Sequence, residues 1–218
     1  MARRIEKPTR PMMHSTVVHV IDDDEAVRQS TVFLLASAGF PVRLYPSATE
    51  FLAVAATLPP GCVISDVRMP GIDGLELQRR LQGIGSHFPL ILMTGNAEVP
   101  LAVQAMKAGA VDFIEKPFES EALLAAVGTA VGRLEALERE NAELEQARAR
   151  FNLLSVREKE VLDGLLAGQA NKVIAYHLRL SPRTVEVYRA NVMSKMHAGS
   201  LSELIRMALL AGHSSPGA

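Results

Sequence analysis

Cys62-Val63-Ile64-Ser65-Asp66-Val67-Arg68-Met69-Pro70-Gly71 decides the fold of this chain: a short apolar run ends in an acid, and a turn follows at once. Upstream, the apolar run from Thr16 to Ile21 ends in Asp22, Asp23 and Asp24. Downstream, Leu90-Ile91-Leu92-Met93 ends in Thr94, and Val111-Asp112-Phe113-Ile114 leads to Lys116-Pro117. Read as parallel strands, all four runs deliver a polar residue at their carboxyl ends, where open α/β sheets place their ligand sites. Carboxylates, a hydroxyl and an ammonium then meet in one crevice.

Clustered carboxylates stay ionised together when a cation shares their site, and Mg²⁺ takes a few carboxylate oxygens together with water and phosphate oxygens. In such a site Asp66 can act as a carboxylate nucleophile toward a phosphoryl donor and become an aspartyl phosphate. Thr94 and Lys116 then hold two of the phosphate oxygens and Mg²⁺ a third. Taken singly, the acid triplet reads as a solvated helix start, Asp66 as a loop cap and Lys116 as a surface lysine. Their order along four strand ends argues for one site instead.

Between the strands the pattern predicts helices at about 25–38, 48–57, 74–82, 99–108 and from 120. Ser47-Ala48-Thr49-Glu50 and Asp73-Gly74-Leu75-Glu76 carry capping-box spacing, and Gly39 and Gly109 stand where helices should stop. Five such units make a doubly wound, five-stranded parallel sheet.

Val20-Ile21-Asp22-Asp23-Asp24, Ile64 to Gly71, Met93-Thr94-Gly95 and Met106 to Phe118 together closely resemble a response-regulator receiver domain of the FixJ type, with a flavodoxin-like fold, over about residues 15–128. The resemblance implies that Asp66 is the phosphoacceptor, served by a sensor histidine kinase. It implies that Asp23 is the main metal carboxylate, that Asp22 helps through water, and that the backbone carbonyl of Arg68 completes the protein's share of the Mg²⁺ shell. Thr94 and Phe113 would be the switch pair, and Lys116-Pro117 a cis peptide. A phosphorylated homodimer is expected through a face that includes Val103, Lys107 and Asp112. The chain departs from the family in Gly95-Asn96-Ala97-Glu98-Val99-Pro100, where relatives commonly read Gly-His-Gly-Asp-Val-Pro.

Charge divides the chain. Residues 15–128 carry 7 Lys/Arg against 13 Asp/Glu, whereas residues 151–218 carry 8 against 5, which suggests a polyanionic partner for the second part. The single Cys62 excludes a disulfide framework and reads as a small buried hydrophobe. No apolar stretch approaches the roughly 20 residues of a membrane span, so the expected location is cytoplasmic. Residues 1–14 read as a disordered basic arm and residues 214–218 as a disordered tail.

Residues 129–151 read as a helical linker continuing the last receiver helix. Val127, Leu134, Leu137, Asn141, Leu144 and Phe151 follow a/d-like spacing, which fits a short coiled coil with Asn141 in its core or a helix packed on its own domain. Gly128 and Gly132 are candidate hinges.

Beyond the linker, Ser155-Val156-Arg157-Glu158 is a capping box that opens a helix stopping at Gly168. A helix at about 171–178 follows, and Ser181-Pro182 then caps one running to about Met196. The last opens at Ser200 and ends at Gly212. The middle pair fits a helix-turn-helix unit with 182–196 as its recognition helix. Val185, Val192 and Met196 fall on its core side. Arg and Lys can pair with phosphates, Glu186 can accept from a cytosine amino group, and Val187 or Ala190 can touch a thymine methyl. Asn171 to Ala175 and Ser181 to Met193 resemble the LuxR-type DNA-binding domain, an all-α four-helix fold, over residues 152–213. The residues expected to meet double-stranded promoter DNA are Lys172, Ser181, Arg183, Thr184, Glu186, Val187, Arg189, Ala190, Asn191 and Lys195. Tyr188 replaces a common His and reads as a packing or phosphate-contact variant.

The expected function is a two-component transcription factor that works with RNA polymerase. An aspartate-nucleophile phosphohydrolase would need a carboxylate two positions after the nucleophile, and that position is Arg68. The histidines are weak signals: His177 and His197 read as surface or turn residues and His19 as structural.

Overall fold

Apolar residues fill the strands, and the inner ones are buried on both faces, as a parallel sheet covered by helices requires. The computed structural model describes residues 14–83, 88–96 and 99–214. Strands β1 (Val17–Ile21), β2 (Val42–Tyr45), β3 (Gly61–Asp66), β4 (Leu90–Thr94) and β5 (Asp112–Glu115) form one parallel sheet in the order β2-β1-β3-β4-β5. Helices α1 (Glu25–Ser37), α2 (Ala48–Ala55), α3 (Gly74–Gly83) and α4 (Val99–Lys107) connect them. Helix α5 (Ser120–Asn152) follows, and the chain divides into two compact units within it, between Ala136 and Leu137.

Side-chain alternation sends each strand into two cores. Val18, Val20, Cys62, Ile64, Ile91 and Met93 pack with Leu35 of α1 and with Leu123, Val127 and Val131 of α5. The opposite face carries Ile21, Val63, Leu90 and Leu92 against Phe51 of α2, Leu77 and Leu81 of α3 and Ala105 of α4. Burial of each large aliphatic or aromatic side chain stabilises by about 1.5–3 kcal/mol. Gly39 and Gly109 end their helices at φ 90° and 85°, a region where only glycine is unstrained. The expected capping boxes form in part: Glu50 N–H donates to Ser47 Oγ and Glu76 N–H to Asp73 Oδ1. The Glu76 carboxylate turns instead to Arg79 and Arg80.

His14, expected in the arm, stacks on Phe40 with ring centroids 3.9 Å apart and donates its N–H to the Gly39 carbonyl. The rest of the arm (1–13), residues 215–218 of the tail, and Ala97 and Glu98 of the unusual loop lie outside the described residues. His19 is structural as expected. It is fully buried among Tyr45, Phe51 and Phe88, and burial, helped by Arg43, pushes its pKa down to about 4. Cys62 is buried, and burial pushes its thiol up to about 12.

The second unit holds the end of α5 with α6 (Val156–Leu166), α7 (Asn171–Leu178), α8 (Pro182–Met196) and α9 (Leu201–Leu210). Leu162, Leu165, Ile174, Val185, Val192, Met196, Leu204 and Met207 form its core. Ser155 and Glu158 make the full reciprocal capping box. Arg179 closes α7 in the left-handed region at φ 56°, so that Leu180 turns back onto the core and α8 starts at once.

Gly74 shapes the turn after Asp66. A Cβ there would lie 2.6 Å from the Asp66 carbonyl oxygen and 2.8 Å from Leu92 Cδ2. Gly74→Ala is therefore expected to destabilise the first unit by about 1–3 kcal/mol, seen as a lower denaturant midpoint at constant slope. Gly128 lies inside α5 with open space around it, so Gly128→Ala should instead stabilise by up to about 1 kcal/mol. Equal responses from the two variants would contradict this packing.

Candidate functional site: a carboxylate crevice and a recognition helix

Strand order reverses at β1 and β3, the place where doubly wound sheets open a crevice at their carboxyl edge. Asp22 follows β1, Asp66 ends β3, Thr94 ends β4 and Lys116 follows β5. Lys116 Nζ lies 2.6 Å from Asp22 Oδ2 and 2.5 Å from Asp66 Oδ1. Burial works against the ammonium, but the two carboxylates outweigh it and hold the lysine above its usual range. A raised lysine stabilises the fold at every pH below the ordinary lysine value and loses that contribution only in strong alkali. The second oxygens are also held: Asp22 Oδ1 accepts from Asp24 N–H, and Asp66 Oδ2 accepts from Arg68 N–H at 2.7 Å.

The three acids after β1 divide their work. Asp22 is buried, Asp23 is exposed, and Asp24 caps α1 by accepting from the N–H groups of Ala26 and Val27. Asp23 lines a cleft of about 580 Å³ with Val67, Arg68, Met69, Pro70 and Asp73. Asp22 makes a direct contact with Lys116, which the expected role through water did not anticipate. Among the described residues no three acidic, cysteine or histidine side chains already converge as a metal cage. The donor set nevertheless fits a hard divalent cation, since it is all oxygen and the Lys116 ammonium marks where positive charge is required. Arg28, unnoticed in the sequence, donates to the Asp22 carbonyl oxygen at 2.6 Å. No sequence pattern marks it, because a helical arginine six residues on looks like any surface charge.

Thr94 is buried, with its hydroxyl and the backbone of Asn96 3.2 Å apart. Phe113 is half-buried against the α2–α4 core, and Lys116-Pro117 is a cis peptide. On the face expected to dimerise, Val103 and Lys107 are exposed, as are Val99 and Met106 of the same helix. Asp112 is half-buried, and its carboxylate accepts from its neighbour's N–H on Phe113.

On α8, Val185, Val192 and Met196 are fully buried. Arg183, Glu186, Val187, Ala190 and Asn191 are exposed, Arg189 is half-exposed, and Lys172 is exposed on α7. Ser181 and Thr184 serve the helix cap: Thr184 N–H donates to Ser181 Oγ at 3.0 Å, and the two hydroxyls are 2.8 Å apart. Tyr188 packs on the core. Lys195, also expected to meet DNA, has its ammonium 2.7 Å from the carboxylate of buried Glu158. His177 is exposed and His197 ends α8 in the left-handed region, as turn and surface residues do.

The response regulator receiver domain family matches residues 18–128, and the luxR family of bacterial regulatory proteins matches residues 152–208. The transcriptional regulatory protein FixJ of Azorhizobium caulinodans is 55% identical over 201 residues, covering 92% of this chain and 95% of that protein. FixJ of Bradyrhizobium diazoefficiens is 53% identical over 195 residues, 89% and 95% of the two chains. Among solved structures, full-length FixJ from B. japonicum has a TM-score of 0.57 at 52% identity, covering 91% of this chain and 98% of that one. The response regulator StyR has a TM-score of 0.79 at 37% identity, covering 89% and 98%. The chain belongs to the FixJ-type response regulators, transcriptional regulators that join a receiver domain to a LuxR-type DNA-binding domain.

Proposed function

We propose that a sensor histidine kinase transfers a phosphoryl group to Asp66, and that the modified receiver dimerises and brings two copies of α8 to promoter DNA. The observation that carries this is the contact of Lys116 with both Asp66 and Asp22 at the carboxyl edge of the sheet. In the transfer, an Asp66 carboxylate oxygen bonds to phosphorus as the bond from phosphorus to the kinase's imidazole nitrogen breaks, and that nitrogen keeps the electron pair. Lys116 moves with the new negative charge and holds one phosphate oxygen, while the Thr94 hydroxyl donates to a second. Asp22, Asp23, Asp66 and the Arg68 carbonyl would hold Mg²⁺, which supplies charge neutralisation when bound.

An aspartyl phosphate adds about 1.5–2 negative charges. Drawing Thr94 toward it opens space for Phe113, which reshapes the face of Val103, Lys107 and Asp112 on which two receivers meet. Glu186, Val187 and Ala190 then read base edges, and Lys172, Arg183, Arg189 and Asn191 hold the backbone of half-sites about one DNA turn apart. Bound there, the dimer recruits RNA polymerase. This sequence of events belongs in the cytoplasm, where the promoter is; among the described residues no helix is long and apolar enough to cross a membrane.

Lys116→Met leaves two carboxylates facing one another without their cation and should destabilise the first unit by roughly 3 kcal/mol. Added Mg²⁺ should raise its melting temperature by more than it raises the wild type's, since the metal replaces the missing charge. Equal shifts would remove these acids from the metal site.

Phosphorylation is tested by mass. Wild-type protein with Mg²⁺ and beryllofluoride should double in mass by light scattering, Val103→Asp should bind the analogue and stay monomeric, and Asp66→Asn should not respond. A wild-type mass unchanged by the analogue would defeat the dimer switch.

For DNA, Glu186→Ala should relax preference at one base position by roughly 1–3 kcal/mol. Lys172→Ala should weaken all sequences alike and flatten the salt dependence by about one unit. Binding-site selection from random duplexes checks both, and an unchanged preference in the Glu186 variant would argue against this face of α8.

A further inference from the structure

Glu158 is the third residue of α6 and is 3% exposed. Its Oε2 accepts from Ser155 N–H at 2.7 Å and from Lys195 Nζ at 2.7 Å, and the same ammonium donates to the Leu153 carbonyl at 3.3 Å. Burial pushes the Glu158 carboxyl up, but Lys195 and the Ser155 groups outweigh it and hold it below the usual range. Lys195 lies in the last turn of α8. The far end of the recognition helix is thereby tied to the junction that leads from α5 into α6.

The rest of that helix rests on apolar contacts from Val185, Val192 and Met196. Apolar packing is non-directional and sets the depth of a helix more firmly than its rotation or pitch. A hydrogen-bonded ion pair to a buried carboxylate is directional. With the Ser181 cap fixing the start of α8, the Lys195 tether fixes its end, and Glu186, Val187 and Ala190 lie between the two anchors. Releasing Lys195 to a DNA phosphate would leave the Glu158 charge buried without its cation, which is strongly unfavourable.

We propose that Lys195 is a positioning residue: through Glu158 it sets the pitch of the recognition helix, and it is not a phosphate ligand. The proposal rests on the DNA-binding reading given above. It separates the two roles a basic residue on α8 can have, because a phosphate contact contributes about 0.9 to the salt slope and a positioning contact contributes nothing to it.

The test uses the full chain with beryllofluoride and two duplexes of equal length, one selected by the wild type from random DNA and one unrelated. Lys195→Met, Glu158→Gln and the double variant are titrated by fluorescence anisotropy across a salt series. Each single variant is expected to lose about tenfold in affinity for the selected duplex, comparable to one lost base contact. The double variant should lose no more than either single one, and affinity for the unrelated duplex and all salt slopes should match the wild type. The double variant leaves no buried carboxylate unpaired, so it remains informative if Lys195→Met fails to fold, and alone it must show lost preference at unchanged slope. A slope shallower by about one in Lys195→Met, with Glu158→Gln binding as wild type does, would overturn the proposal in favour of a phosphate contact. A wild type that does not discriminate the duplexes would overturn the DNA-binding reading itself, and this proposal with it.

Discussion

One ammonium holds the receiver crevice together. Asp22 and Asp66 approach the same point from adjacent strands, and two carboxylates so placed repel unless a positive group stands between them. Lys116 supplies it from β5, although β4 lies between β5 and β3 in the sheet. The lysine therefore reaches past the end of β4 to Asp66. The Lys116 N–H donates to the Thr94 carbonyl at 2.7 Å, which fixes the base of that reach. The apolar cores on both faces serve this arrangement, because a twisted sheet of fixed register is what brings four strand ends to one place.

Most of that crevice was legible because its information is local. Each strand end is written in a few consecutive residues, and the helices between them are bounded by caps and by Gly39 and Gly109. What stayed hidden depended on partners far away in sequence. Which of the adjacent acids turns inward cannot be read from alternation, since Val18 and Val20 face one buried core and Ile21 faces the other. Asp22 is singled out by its ion pair with Lys116, 94 residues on, and that pairing has no local signal. The second partner of Glu158 had no such signal, since Lys195 lies 37 residues away and the capping box already explained the glutamate. The stacking of His14 on Phe40 is equally silent in the sequence, because nothing in a basic arm marks one ring for it.

A similar long-range constraint bears on α4. Gln78 of α3 is 4% exposed, and its amide nitrogen donates to the carbonyls of Ala105 at 3.1 Å and Ala108 at 2.8 Å. Gln82 adds a second donor to Ala108. The last carbonyls of a helix lack intrahelical partners, so these amides tie the carboxyl end of α4 to α3. The helix that carries Val103 and Lys107 is thus anchored at the end remote from Thr94.

The a/d-like stripe along α5 shows how one periodic pattern can serve two packings. Val127, Ala130 and Leu134 are buried within the stretch that belongs to the first unit, and Ala147 within the stretch that belongs to the second. Phe151 joins the core of the second unit, and Ala147 borders a groove against Met207 and Leu210 of α9. Between these, Leu137 and Asn141 are exposed and Leu144 is half-exposed. That leaves about one heptad of free seam, and sustained coiled coils need roughly three or four. The apolar spacing of residues 127–151 is therefore explained at both ends by packing within each unit. The exposed middle turns keep helical geometry through residues such as Glu138, Arg139 and Glu140, which favour helix without requiring a partner.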